Sequence, residues 1–208
     1  MAKRTESKST KPKITEPGSS ATKSGTTRGI VSLKVTLAGI KPPIWRRLMV
    51  PGTMTLGDLH DAIQAVMGWE DGHLHDFDVD GGRYGDPSTV DYVDDENSLT
   101  LNDLTKSGIA RFTYTYDFGD DWEHMVAIEK TSSVLDGKSY PTCVAGARNC
   151  PPEDCGGPWG YQHLLEVLAD PAHPEHAEQI EWLGEEFDPN DFSVEYADAT
   201  LGARFNRK

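Results

Sequence analysis

IARFTYTYDF (109–118), GDD (119–121) and WEHMVAI (122–128) form the stretch whose reading decides the fold. Phe112, Tyr114, Tyr116 and Phe118 alternate with Arg111, Thr113, Thr115 and Asp117, the period of a half-buried strand with one aromatic face. Alternation resumes at Trp122, so the two runs make an antiparallel hairpin. A two-residue Gly119-Asp120 turn would pair Phe118 with Asp121 and mix the faces. A three-residue loop over 119–121 pairs Phe118 with Trp122 and Tyr116 with His124, and one continuous apolar face results. The second register is the expectation. It puts His124 on the buried aromatic face and Asp120 and Asp121 at the tip.

Working outward, Val31, Leu33, Val35 and Leu37 alternate with Ser32, Lys34 and Thr36, so 30–37 reads as a strand, and Lys41-Pro42-Pro43 breaks it. IWRRLMV (44–50) is a second strand, whose alternation sends Arg46 and Arg47 to opposite faces, one of them to pair with an acid in the core layer. Residues 55–67 carry Leu56, Leu59, Ile63, Val66 and Met67 on one helical stripe, with Thr55 and Asp58 as a capping box. A strand follows over 73–79, an exposed acidic loop over 86–97 and a short element of either type over 99–104. Residues 140–157 read as irregular. Pro158 opens a helix with Tyr161, Leu164, Leu165 and Leu168 on one face, a second helix covers 174–183 before Gly184, and 187–201 form a short helix or coil at the edge. The predicted fold is α+β: a mixed or antiparallel sheet, a central helix after the first two strands, and a C-terminal helical pair packed on one side.

The 208 residues are 37% apolar and contain no run of the length that a membrane span needs. Lys plus Arg number 20 against 34 Asp plus Glu, a net charge of −14. Residues 1–28 hold seven basic and two acidic side chains, so the remaining chain is at −19. This basic, Ser/Thr/Lys/Gly-rich tail is expected to be disordered, and a single domain is expected over 29–208. No apolar h-region of a secretory signal occurs, which makes a cytoplasmic location the expectation. Nucleic acid is disfavoured as a partner of the acidic core and left open for the basic tail.

Three cysteines, Cys143, Cys150 and Cys155, argue by their odd count for free thiols or metal ligands. With His124, or with His163 as the fourth ligand, they would form a zinc site, although C-x6-C-x4-C lacks a C-x2-C knuckle; buried thiols are the alternative. A second cluster is drawn from His73, His75, Asp76, Asp117, Asp120, Asp121, His124, Glu153 and Asp154, residue types suited to acid/base work or a hard cation, or simply to turns and a solvated surface. In the run from Glu153 to Pro158 the glycines allow a sharp entry into the helix; its free backbone N–H groups could hold an anion, but the adjacent acids argue against that, and Glu153 or Asp154 is expected to cap or neutralise the helix start instead. No phosphate-loop, G-x-S-x-G or H-E-x-x-H pattern is present, which disfavours a standard NTPase, hydrolase or zinc peptidase.

Pro42-Pro43-Ile44-Trp45-Arg46-Arg47, Leu59-His60, Gly68-Trp69 with His73-Leu74-His75-Asp76-Phe77, the run from Tyr116 to His124 and the run from Cys150 to Tyr161 occur in one order. Together they resemble the plasmid pRiA4b open-reading-frame-three family over nearly all of the chain after the tail. The resemblance implies a compact α+β domain carried by bacteria and archaea, often on plasmids or insertion elements, with some members labelled passenger proteins or resolvases. The resolvase label conflicts with a core at −19 that has no arginine cluster for scissile phosphates. The reading is a non-enzymatic accessory or binding module of a mobile element. Its groove draws on His75, Asp117, Asp120, Trp122, His124, Glu153, Asp154 and Tyr161, and takes a protein segment, a small molecule or a cation such as zinc. The rivals are a metal-dependent hydrolase or nuclease-like enzyme using Asp117, Asp120, His75 and His124, and a DNA-associated accessory protein acting through the tail.

Overall fold

Eight strands and five helices follow from these patterns in the computed structural model, which describes residues 29–184 and 186–207. The predicted tail over 1–28 lies outside the described residues. The strands are β1 (Gly29–Leu37), β2 (Trp45–Pro51), β3 (His75–Val79), β4 (Gly82–Gly85), β5 (Asp94–Asp95), β6 (Arg111–Tyr116), β7 (Trp122–Ser133) and β8 (Thr142–Ala147). The helices are α1 (Leu56–Met67), α2 (Leu101–Lys106), α3 (Gly157–Ala169), α4 (His176–Leu183) and α5 (Val194–Arg204).

All eight strands join one sheet in the order β5-β4-β3-β6-β7-β1-β2-β8, antiparallel except for the short β4/β5 pair. Paired residues share a face, so the register sorts the side chains: Val31 with Val50, Leu33 with Leu48, Val35 with Val126, Tyr114 with His124 and Phe77 with Tyr114 all point to one side. Helix α1 lays Leu56, Leu59, Ala62, Ile63 and Val66 into the same core. Its start is fixed by the predicted capping box, Thr55 Oγ1 accepting from the Asp58 amide at 3.1 Å and the Asp58 carboxylate from the Thr55 amide at 3.2 Å. Helix α5 packs beside α1 and against β8, and α3 adds Tyr161 and Leu164 to the core. The opposite sheet face is polar. There Trp45 lies between Lys34 and Arg47, and Arg47 forms a forked pair with Glu129 at 2.8 Å.

Four expectations need correction. The hairpin pairs Tyr116 with Trp122 and Tyr114 with His124, two residues from the expected register. The slip conserves the apolar face because it equals one strand period. Asp117 causes it: its backbone turns left-handed at φ 56° and its carbonyl takes the Asp121 amide at 2.6 Å, so a five-residue connection replaces the tight loop and Phe118 swings to solvent. Residues 142–147, read as irregular, form the edge strand β8. Glu96, assigned to an exposed loop, is buried. Arg46 does enter the core layer, but its partners there are backbone carbonyls and not an acid.

Candidate functional site

Three connections meet at one end of the sheet: the segment from Trp69 to Leu74 after α1, the β6–β7 connection, and the loop before α3. Trp69 pins the first to the third. Its indole stacks on Tyr116 at 5.0 Å between ring centroids and its Nε1 donates to the Pro151 carbonyl at 3.0 Å. The Tyr116 hydroxyl accepts from the Gly72 amide at 3.0 Å and donates to Glu153 at 2.7 Å, and Glu153 also accepts from the Glu70 amide at 3.1 Å. Burial, and then the Glu153 carboxylate, raise the Tyr116 phenol, which therefore stays protonated as the donor.

This bracing brings His73, Asp117 and Asp154 together. His73 Nε2 lies 3.2 Å from Asp154 Oδ1, His73 Nδ1 lies 3.7 Å from Asp117 Oδ2, and one ligand atom from each of the three falls within 4.8 Å of the others. The spare oxygen of Asp117 accepts from the amides of Gly119 at 2.9 Å and Asp120 at 3.3 Å, which fixes the carboxylate's direction. Asp120 reaches across to the Gly156 amide at 3.1 Å. Gly157, at φ 68°, packs so closely that a Cβ there would stand 2.3 Å from the Asp120 carbonyl oxygen. Among the described residues no lysine or arginine pairs with Asp117 or Asp154, so two carboxylates face one imidazole without a fixed cation.

A second knot lies deeper. His60 and His75 stack at 3.5 Å with 6° between their planes. Burial, and then the neighbouring His75, lower the pKa of His60. A neutral His60 satisfies every partner in one arrangement: Nε2 donates to Asp71 at 2.8 Å, Nδ1 accepts from the Tyr114 hydroxyl at 2.8 Å, and that hydroxyl accepts from Gln64 Nε2 at 3.0 Å. His75 pairs with Glu96 at 2.8 Å. His60, Asp61 and Asp71 also have the composition of a cation site, but Arg204 already bridges the two aspartates.

The predicted site residues therefore divide. Asp117, Asp120, Glu153 and Asp154 converge with His73, while His75 belongs to the inner knot. Trp122 and Tyr161 are core residues, and the Tyr161 hydroxyl has no partner. His124 is sealed between Trp69 and Tyr114, each at 5.3 Å, with neither ring nitrogen in a hydrogen bond. Burial is the main reason its pKa is pushed down to about 4; the Tyr114 and Trp122 backbone is the nearest opposing influence, without hydrogen-bond geometry. The set His124, Cys143, Cys150, Cys155 does not converge into a cluster of metal ligands, and His163 instead meets Glu175 at 2.9 Å on the surface. Cys143 and Cys150 are buried and Cys155 is half-buried; burial raises all three thiols, Cys155 to about 12. Of the hydrolase set, Asp117 and Asp120 share one turn, whereas His75 is engaged by Glu96 and His124 is sealed in the core. Asp76 pairs with Arg83 and Asp121 serves the hairpin turn. Neither Glu153 nor Asp154 caps α3, whose N-cap is Gly156 with no side-chain bond.

Beside the His73 group opens a cleft of about 620 Å³ between the end of α1, the Cys150–Asp154 loop and the segment entering α5.

A model of the family described as "Plasmid pRiA4b ORF-3-like protein" matches residues 29–196. The chain belongs to this family. Among relatives of this pRiA4b ORF-3-like chain, "Uncharacterized protein y4hQ" of Sinorhizobium fredii is 43% identical over 158 residues, covering 74% of this chain and 81% of the relative. The crystal structure of a protein of unknown function, MM3350 from Methanosarcina mazei, superposes with a TM-score of 0.76 at 43% identity, covering 82% of this chain and 98% of that one. Sequence reasoning missed His60, Asp71 and Tyr116 as partners in this pRiA4b ORF-3-like site. A polar residue at 60, inside the apolar stripe of 56, 59 and 63, was the available signal of a buried hydrogen-bonding role.

Proposed function

We propose that the protein is a binding module of a plasmid or other mobile element, acting in the cytoplasm without covalent chemistry of its own, and that it holds a divalent cation on His73, Asp117 and Asp154. The convergence of those three ligand atoms within 4.8 Å, from three separate loops, carries the reading. One imidazole and two carboxylates suit zinc or manganese, and because Asp117 is buried, His73 half-buried and Asp154 exposed, the outer side is left open to a ligand or partner. The absence of a pairing lysine or arginine among the described residues distinguishes this cluster from the one closed by Arg204. Support for the mobile-element setting comes from the plasmid reading frame in the family's description. Support for the compartment comes from three unpaired cysteines and from the lack, among the described residues, of any helix long and apolar enough to cross a membrane.

Calorimetric titration of chelator-treated protein with zinc and with manganese tests this. One site is expected, weakened more than about tenfold by Asp117→Asn and by Asp154→Asn and unchanged by Asp76→Asn. No one-site binding by the native protein, or equal binding by all variants, overturns it.

A further inference from the structure

Arg46 is a buried charge that no carboxylate answers. The residue is 2% exposed. Its Nε donates to the Val66 carbonyl at 2.8 Å and its Nη1 to the carbonyls of Trp45 at 3.0 Å and Ala147 at 3.1 Å, while the Phe192 ring covers the guanidinium plane at 4.1 Å. Among the described residues Nη2 has no acceptor and the side chain has no ion pair. The ionisable groups that act on it include the Cys143 and Cys150 thiols, which burial keeps protonated, and His124, which burial keeps neutral; none of these is an anion. Val66 lies in the last turn of α1, so the helix terminus supplies partial negative charge, about half a unit, and leaves the rest uncompensated. Nη2 is not one of the sealed atoms that lack a partner, so its two donor hydrogens stay open toward the cleft that Arg46 lines, where an acceptor could complete them.

Arg46 lines the 620 Å³ cleft, a size suited to a small ligand. Trp69, Phe187 and Phe192 give the cleft aromatic walls, and Glu70, Asp154 and Asp191 stand exposed around it. Positive charge thus sits inside and negative charge at the mouth. A simple dianion is repelled on entry, and a simple cation leaves Arg46 unpaired.

We propose that this cleft binds a small zwitterion of the amino-acid or short-peptide class, its carboxylate on Arg46 Nη2 and its cationic nitrogen among the acids at the mouth. Asp154 stands at both this mouth and the His73 cluster, so the cleft is probed with the cation removed.

The test is calorimetric titration of the full chain, in chelator, with three probes: glycyl-lysine, its C-terminal amide, which lacks the carboxylate, and glycyl-norleucine, which lacks the side-chain ammonium. Glycyl-lysine is expected to bind, the amide more than about tenfold more weakly and glycyl-norleucine severalfold more weakly, with the last gap closing at high salt. Asp191→Asn, at an exposed position, should weaken glycyl-lysine without altering the melting temperature. Because Arg46 variants lose three carbonyl contacts and can unfold, the location is read on the native protein: in nitrogen-15 spectra the Arg46 side-chain resonances should shift with glycyl-lysine and stay fixed with its amide. No binding of glycyl-lysine below about 10 mM, equal binding of acid and amide, or unmoved Arg46 resonances overturns the proposal. Since cation binding at His73 is measured without these probes, either result can fail alone.

Discussion

Replacing His124 by leucine should flatten the acid side of the stability curve. His124 is fully buried, and neither ring nitrogen has a hydrogen-bond partner, so the core accepts only the neutral imidazole. In the unfolded chain the ring takes up a proton near pH 6.5, whereas burial pushes its pKa in the folded protein down to about 4. The folded value is the lower one, so the unfolded state binds the extra proton, and stability complete above about pH 7 is lost as pH falls through 6.5 toward 4. That difference corresponds to about 3 kcal/mol, a sizeable share of the 5–15 kcal/mol typical of a domain. Leucine has a similar volume and gives up no hydrogen bond, so His124→Leu should fold. Urea unfolding of native protein and variant, repeated across about pH 7.5 to pH 4, gives the measurement, because groups that titrate in both proteins cancel in the difference. The native protein should lose about 3 kcal/mol more than the variant over this window. Parallel curves, or His124 ring protons titrating in the folded protein near the solution value, would refute the reasoning.

Tyr114→Phe strands Gln64 Nε2 and His60 Nδ1 in the core and should cost about 2–3 kcal/mol in urea unfolding, with the His60 ring signals shifting at the same time. Gly157→Ala places a Cβ 2.3 Å from the Asp120 carbonyl at a left-handed backbone position; a destabilisation of about 2 kcal/mol and weaker zinc binding are expected, and an unchanged melting temperature would contradict the close approach. Glu129→Gln breaks the surface fork with Arg47, while its amide oxygen can still accept from Ser32 Oγ, and should change stability by less than about 1 kcal/mol, less still at high salt.

Local chemistry made much of this molecule legible from its sequence. Alternation at 30–37 and 111–116, the Thr55/Asp58 box and Gly184 each specify an element through interactions between near neighbours, and the structure repeats them. The hairpin register failed because the decisive event is one aspartate's left-handed turn, which the apolar alternation through Phe118 conceals. β8 escaped notice because Thr142-Cys143-Val144-Ala145-Gly146-Ala147 alternates weakly, and its pairing with β2 shifts by a bulge between Arg47 and Leu48. Gly146 has a reason to be there: the Phe192 ring lies where its Cβ would be, at 2.5 Å. The candidate site was half legible. Asp117, Glu153 and Asp154 stood out as residue types, but their meeting with His73 and Tyr116 depends on three connections far apart in the chain. The cysteines misled because closeness in sequence was taken for closeness in space.

Asp198 Oδ1 takes the Cys143 amide at 2.9 Å and the Thr142 hydroxyl at 2.7 Å, and Arg207 holds both Asp198 and the Pro141 carbonyl. These side chains occupy hydrogen-bonding groups on the outer side of β8, where a strand from another molecule would otherwise add. The anchor of the β8 edge therefore lies in α5 and the residues just after it, elements that also place Ala197 and Leu201 in the core. Removing the chain after 196 would thus bare the β8 edge and open the core at once, so edge and core are secured by one and the same helix.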